Sequence, residues 1–138
     1  MTAYDNDNVF AKIMRGEIPS QTVYEDDRTF VIMDIMPRAE GHCLVIPKAP
    51  SRNLYDIDPA DLAAVATTVQ TMVKAVTSAF DAEGVTIQQF NEAAAGQEVF
   101  HTHVHILPRH AGVKLNPPGN MGDMDVIAAN AEKIRAAL

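Results

Sequence analysis

His101, His103 and His105 stand at alternate positions in Phe100-His101-Thr102-His103-Val104-His105-Ile106-Leu107-Pro108-Arg109, three of the five histidines in the chain. On a β-strand alternate side chains share one face, so this spacing predicts a row of imidazoles rising about 6.6 Å per two residues. Phe100, Thr102, Val104 and Ile106 would take the opposite, core-facing side. Neutral imidazole is a nucleophile and proton carrier near neutral pH, because its reference pKa is about 6.5. The middle ring, His103, is the one that can be oriented from both sides. A neighbour or a backbone carbonyl holding its Nδ1 proton leaves the other nitrogen with a free lone pair for attack. The flanking rings can donate to phosphate oxygens or protonate a leaving group. His-x-His on a strand also suits a metal, and a surface histidine tract is the bland reading.

The elements that must position this row read in order along the chain. Val9 to Arg15 is a short amphipathic helix closed by Gly16. Thr22–Glu25 and Thr29–Met33 form a hairpin turning at Asp26-Asp27. His42–Ile46, nearly all apolar, is a buried third strand closed by Pro47. Asp58-Pro59-Ala60-Asp61 starts a long helix: an Asx cap, proline at the first turn, an acid beside it. Leu62, Val65, Val69, Met72, Val76 and Phe80 recur at helical spacing to a stop at Gly84, giving about 24 residues and about 36 Å. Val85–Phe90 and Val99–Leu107 are the fourth and fifth strands. Asn116-Pro117-Pro118-Gly119-Asn120 is an exposed linker, and Asp123–Leu138 a terminal helix with Val126, Ile127, Ala131 and Ile134 on its buried side. The short connections predict an α+β fold, a five-stranded antiparallel meander sheet with the long helix across one face.

At 138 residues and 47% apolar, one domain over 1–138 is expected, with its core in 8–110 and a linker and helix over 111–138. A net charge of -7 without a basic cluster disfavours duplex nucleic acid as a partner. Small nucleotides need only a local pocket. No apolar run approaches the roughly 20 residues of a membrane span, and the N-terminus Met1 to Asn8 is polar and acidic, which makes the cytoplasm the expected compartment. The single Cys43 lies in an apolar strand and reads as core.

These motifs resemble the histidine-triad (HIT) superfamily. The triad His101 to Leu107 is joined, in the family's order, by Gly16-Glu17-Ile18-Pro19-Ser20, Val23-Tyr24-Glu25-Asp26-Asp27, Asp34-Ile35-x-Pro37, Gly41-His42-x-Leu44-Val45-Ile46-Pro47-Lys48 and Gly96-Gln97. A third triad residue of His105, where a transferase branch has Gln, places the chain with the hydrolases. The resemblance implies a homodimer with the sheet extended across it, acting on a purine nucleoside phosphoramidate or dinucleoside polyphosphate. It implies attack by His103 on the α-phosphate, a nucleotidyl-histidine intermediate, and release of a nucleoside monophosphate of AMP or GMP type. His101 and His105 would position the nucleophile and the phosphate, with His42 in a relay beside them. Asp34 would bind the ribose, Ile32 and Ile35 the base, and Asn91, Gly96, Gln97 and Glu98 would lie at the phosphate and leaving group. No cofactor is implied.

The chain departs from the family at four places, one of them the stretch between Asn91 and His101, which is one residue shorter than in some members. The cysteine pair of many bacterial members reads Asn8-Val9-Phe10-Ala11, so no structural metal is expected. The histidine that often follows the Pro-Lys pair is Pro50, which shortens the relay behind His101. Glu98 replaces a common Ser or Thr. A carboxylate about 4 Å from a phosphate repels it by about 1–4 kcal/mol, whereas a protonated one can serve as general acid. The alternative to an enzyme is a nucleotide-binding or scaffold protein with weak catalysis.

Overall fold

The computed structural model describes residues 3–138, so Met1 and Thr2, the start of the polar N-terminal stretch, lie outside it. The elements run α1 (Val9–Met14), β1 (Thr22–Glu25), β2 (Thr29–Met33), β3 (Cys43–Pro47), α2 (Pro59–Phe80), β4 (Gly84–Gln88), a 3-10 turn at Ala93–Ala95, β5 (Val104–Arg109) and α3 (Met124–Ala137). The five strands form one sheet in the order β1-β2-β3-β5-β4, every neighbouring pair antiparallel. The α+β class, the antiparallel sheet and the long helix match the expectation. The meander does not hold throughout, because β5 inserts between β3 and β4. β3 and β4 therefore run the same way, and α2 is the long crossover such a pair requires.

Alternation along the strands sorts side chains onto two faces. Val31, Met33, Cys43, Val45, Val104 and Ile106 meet Val65, Met72 and Val76 of α2 and Ile127, Ala131 and Ile134 of α3. Phe30, Ile32, Leu44 and Ile46 point the other way and are covered by Phe10 of α1. Val126 was expected on the buried side of α3 and is 52% exposed, while Asn130 is buried instead. Cys43 is fully buried, and burial pushes its thiol up to about 12, which makes it inert core.

The larger boundary differences from the pattern have physical reasons. Asp58 caps α2 with its side chain accepting from Ala60 N, as its position implied. The helix stops at the left-handed Asp81 (φ 50°, ψ 43°) rather than at Gly84, which instead opens β4. That strand ends at Gln88, short of Phe90. The fifth strand begins at Val104 rather than Val99, since its pairing with β3 runs only from Val45↔Val104 to Cys43↔Ile106. Upstream, the chain is held by side-chain and loop bonds instead of a ladder. Thr102 N donates to Ser51 O at 2.9 Å, and the two hydroxyls of Ser51 and Thr102 meet at 2.7 Å. Of the triad, only His105 is therefore a strand residue.

Gly41, immediately before His42, has φ +85°, and a Cβ there would lie 2.3 Å from the Phe80 ring. Only glycine lets this turn close against α2.

Candidate active site

The register sets His105 opposite Leu44, which places His42 one alternation away on the same face. Their rings meet, His42 Nε2 lying 2.9 Å from His105 Nδ1. Arg38 N–H donates to His42 Nδ1 at 3.0 Å. A neutral imidazole carries one N–H, so that proton is on Nε2 and His42 donates to His105 Nδ1. His105 in turn must carry its proton on Nε2, the nitrogen left to face a substrate. Burial, helped by the neighbouring imidazoles and the Arg38 guanidinium, pushes His42 down to about 4 and His105 to about 3. Both rings are therefore neutral at pH 7 and act as hydrogen-bond donors, not cations.

His103 lies just before β5. Its Nδ1 donates to the carbonyl of His101 at 2.7 Å, and Phe10 and His105 pack edge-on against the ring with centroids 4.9 and 5.1 Å away. Nε2 makes no bond among the described residues. Every fully buried polar side-chain atom there has a partner, so this nitrogen reaches solvent although the residue is only 8% exposed. Burial holds its pKa below the usual histidine value. The outcome is an oriented, unprotonated Nε2 lone pair.

His101 behaves differently from the expectation of a third ring flanking the phosphate. It is fully buried, its Nε2 donates to Pro47 O at 2.7 Å, and its Nδ1 lies 2.5 Å from the Tyr4 hydroxyl. Both ring nitrogens are consumed, so it orients His103 through its carbonyl. Tyr4 occupies the outer nitrogen of His101, so that nitrogen has a partner although Pro50 carries no imidazole. Sequence reasoning missed Tyr4: a tyrosine ahead of a short helix carries no motif.

Asp34 directly follows β2, with Oδ1 accepting from Met36 N at 2.8 Å and Oδ2 lying 3.4 Å from His42 Nε2 and 4.0 Å from His105 Nδ1. Burial first, and the charge of Glu98 second, raise its pKa. Asp34, His42 and His105 present ligand atoms within 4.8 Å of one another, close enough for a metal ion. The Arg38 amide argues against one. A metal on His42 Nε2 would force the ring proton onto Nδ1, pointing at another N–H donor.

Ile35 is 47% exposed beside Asp34, whereas Ile32 is 3% exposed within the core, so of the two only Ile35 offers surface to a base. Gln97 was expected at the phosphate and is not free to reach it. Its Oε1 accepts from Asn53 Nδ2 and Glu92 N at 3.0 and 2.8 Å, and its Nε2 donates to Arg52 O and Val99 O at 2.7 and 3.0 Å. Asn91 is likewise engaged, accepting from Leu54 N at 2.9 Å and pairing with Gln89. These two residues, with the Arg52–Glu92 ion pair at 2.9 Å, clasp the loop after β3 to the loop before β5. Gly96 (φ +102°) and Glu98 are exposed on that loop. A separate cleft of about 280 Å³ between the Asp34–His42 loop and α3 touches both those residues but no member of the triad.

Comparison with known proteins gives the following. The HIT domain family model matches residues 15–112. An adenylylsulfatase of Arabidopsis thaliana is 42% identical over 104 residues, a match spanning 75% of this chain and 53% of the plant protein, about half its length. An adenosine 5'-monophosphoramidase of Candida albicans is 31% identical over 137 residues, 94% of this chain and 90% of that one. The crystal structure of a HIT-like protein from Bartonella henselae, described as involved in cell-cycle regulation, superposes with a TM-score of 0.95 at 54% identity, covering 99% of this chain and 100% of the other.

Proposed function

Because the chain belongs to the HIT domain family, we propose that it is a nucleotide hydrolase acting at the α-phosphate of a purine nucleoside phosphoramidate or dinucleoside polyphosphate. The observation that carries this reading is the His103 ring, with Nδ1–H anchored on the His101 carbonyl and Nε2 left open. Nε2 attacks phosphorus, the bond from phosphorus to the leaving nitrogen or oxygen breaks, and the leaving group takes up a proton. Water then attacks the nucleotidyl-histidine, the phosphorus–nitrogen bond to His103 breaks, and the nucleoside monophosphate departs. Splitting one displacement into two lowers each barrier.

His105 Nε2–H, held in that tautomer by the Arg38–His42–His105 chain, donates to a phosphate oxygen as charge builds up. Asp34 accepts from the ribose hydroxyls beside Ile35. The exposed turn around Gly96 lets backbone approach the phosphate. The names of the plant and yeast relatives, an adenylylsulfatase and an adenosine monophosphoramidase, support an adenylate with a variable leaving group. A homodimer and a cytoplasmic setting are part of the same reading. The dimer is supported by β4, an edge strand on which Ile87 is 45% exposed.

The test is intact-protein and peptide mass spectrometry after quenching with an adenosine phosphoramidate. A nucleotidyl adduct on His103 that disappears in His103→Ala is expected. Turnover without any adduct, or an equal adduct in His103→Ala, sinks the covalent mechanism. Binding of nucleotide with no turnover leaves the scaffold reading, which the charge of Glu98 beside the site favours. Turnover unaffected by chelator is the matching expectation for the metal.

A further inference from the structure

The nucleophile is aimed by a run of hydrogen bonds that begins at a helix cap, and each donor along it has one direction open to it. Ala11 N–H donates to Asn8 Oδ1 at 3.0 Å as the cap of α1, which settles which end of the Asn8 amide is oxygen. Asn8 Nδ2 therefore points the other way and donates to the Tyr4 hydroxyl oxygen and to Asp5 O, both at 2.8 Å. With its oxygen already accepting from Asn8, the Tyr4 hydroxyl turns its hydrogen toward His101 Nδ1 at 2.5 Å. His101 must then carry its proton on Nε2, and that proton goes to Pro47 O at 2.7 Å. With the ring pinned on both sides, the His101 carbonyl is fixed where His103 Nδ1–H meets it at 2.7 Å.

We infer that Tyr4, its hydroxyl directed by Asn8, is a positioning residue that holds His101 in a single tautomer and so keeps His103 Nε2 unprotonated and aimed. The inference rests on the function proposed above only for its kinetic consequence. Tyr4 makes no hydrogen bond to His103; its hydroxyl reaches the nucleophile through the His101 ring. Removing the hydroxyl leaves a buried ring nitrogen without a donor. The ring can then turn or take its proton on the other side, and either change moves the carbonyl that holds His103. A phenol serving only as filler would have no such effect, because phenylalanine fills the same volume.

Two variants test this. Tyr4→Phe deletes the hydroxyl and keeps the ring. Asn8→Asp keeps an oxygen for the Ala11 cap but replaces the amide donor with a carboxylate, which draws the hydroxyl hydrogen away from His101. Single-turnover formation of the His103 adduct should slow by about 10- to 100-fold in both, taking as a guide the loss seen when the partner behind a metal-ligating imidazole is removed, with KM nearly unchanged. Nitrogen NMR of histidine-labelled protein supplies a readout independent of turnover. In the parent protein His101 should be the Nε2–H and His103 the Nδ1–H tautomer, and in both variants the His103 signals should show a mixture. Parent-like tautomers in both variants overturn the inference, as do parent-like adduct rates. If the parent forms no adduct at all, the covalent function fails while the tautomer measurement still decides the role of Tyr4. Should Tyr4→Phe not fold, Asn8→Asp carries the test, since Asp is as good a cap as Asn.

Discussion

Replacing Gln97 with methionine keeps the length of the side chain and deletes both ends of its amide. The residue is 4% exposed, so water cannot readily replace what is lost. Asn53 Nδ2 retains Glu92 as an acceptor, but Glu92 N, Arg52 O and Val99 O lose the partners they have at 2.8, 2.7 and 3.0 Å. A buried polar group left unsatisfied costs about 1–3 kcal/mol, so three, partly relieved by relaxation, cost about 3–5 kcal/mol. Against a whole-domain stability of about 5–15 kcal/mol, that is a large fraction. Urea unfolding followed by circular dichroism should show the midpoint falling at constant slope, and Tm should drop by about 10–20 °C. At saturating urea-free conditions the folded fraction should bind nucleotide with a KM close to the parent's. The reasoning is refuted by a loss under about 1 kcal/mol accompanied by a raised KM, because that is what a direct phosphate contact would give.

Other outcomes follow from the same geometry. His42 and His101 are held down to about 4 and His105 to about 3 by burial, while an unfolded histidine titrates near 6.5, about the reference value. Between these limits the unfolded chain binds more protons, so stability is intact above about pH 6.5 and is lost as pH falls toward about 4. Asp34, raised by burial, works in the opposite sense over the carboxylate range. A Tm that stays flat from about pH 7 to about pH 4.5 contradicts the neutral cluster. Gly41→Ala meets both a positive φ and the Phe80 ring, so a destabilisation above about 2 kcal/mol is expected; calorimetry showing a parent-like Tm rules out that packing. Glu98→Ser removes a carboxylate whose charge reaches Asp34, and kcat/KM for dinucleoside polyphosphates should rise more than for phosphoramidates, since the former bring more negative charge. Equal ratios for both substrate classes end that idea.

Much of this site was legible in the residues. The β-forming runs on either side of the Asp26-Asp27 turn located β1 and β2 at their observed ends, and the Asp58-Pro59 start located α2, because turn chemistry and helix capping are local. The middle histidine could be named as nucleophile for a chemical reason: one nitrogen of an imidazole is free only when the other is held. What spacing could not supply was the identity of the holders. The carbonyl of His101 lies two residues from the ring it orients, but the donor behind His101 is Tyr4, 97 residues away, and no periodicity connects them. Gln97 and Asn91 had the right chemistry for a phosphate. Whether an amide faces a ligand or its own backbone depends on which loop packs over it, and here Arg52 to Leu54 does. The insertion of β5 between β3 and β4 is likewise a long-range decision, taken by α2 carrying the chain across the sheet. Local propensity determined the pieces, and imidazole chemistry singled out the middle ring as the candidate nucleophile; packing between distant segments decided which hydrogen bonds hold it.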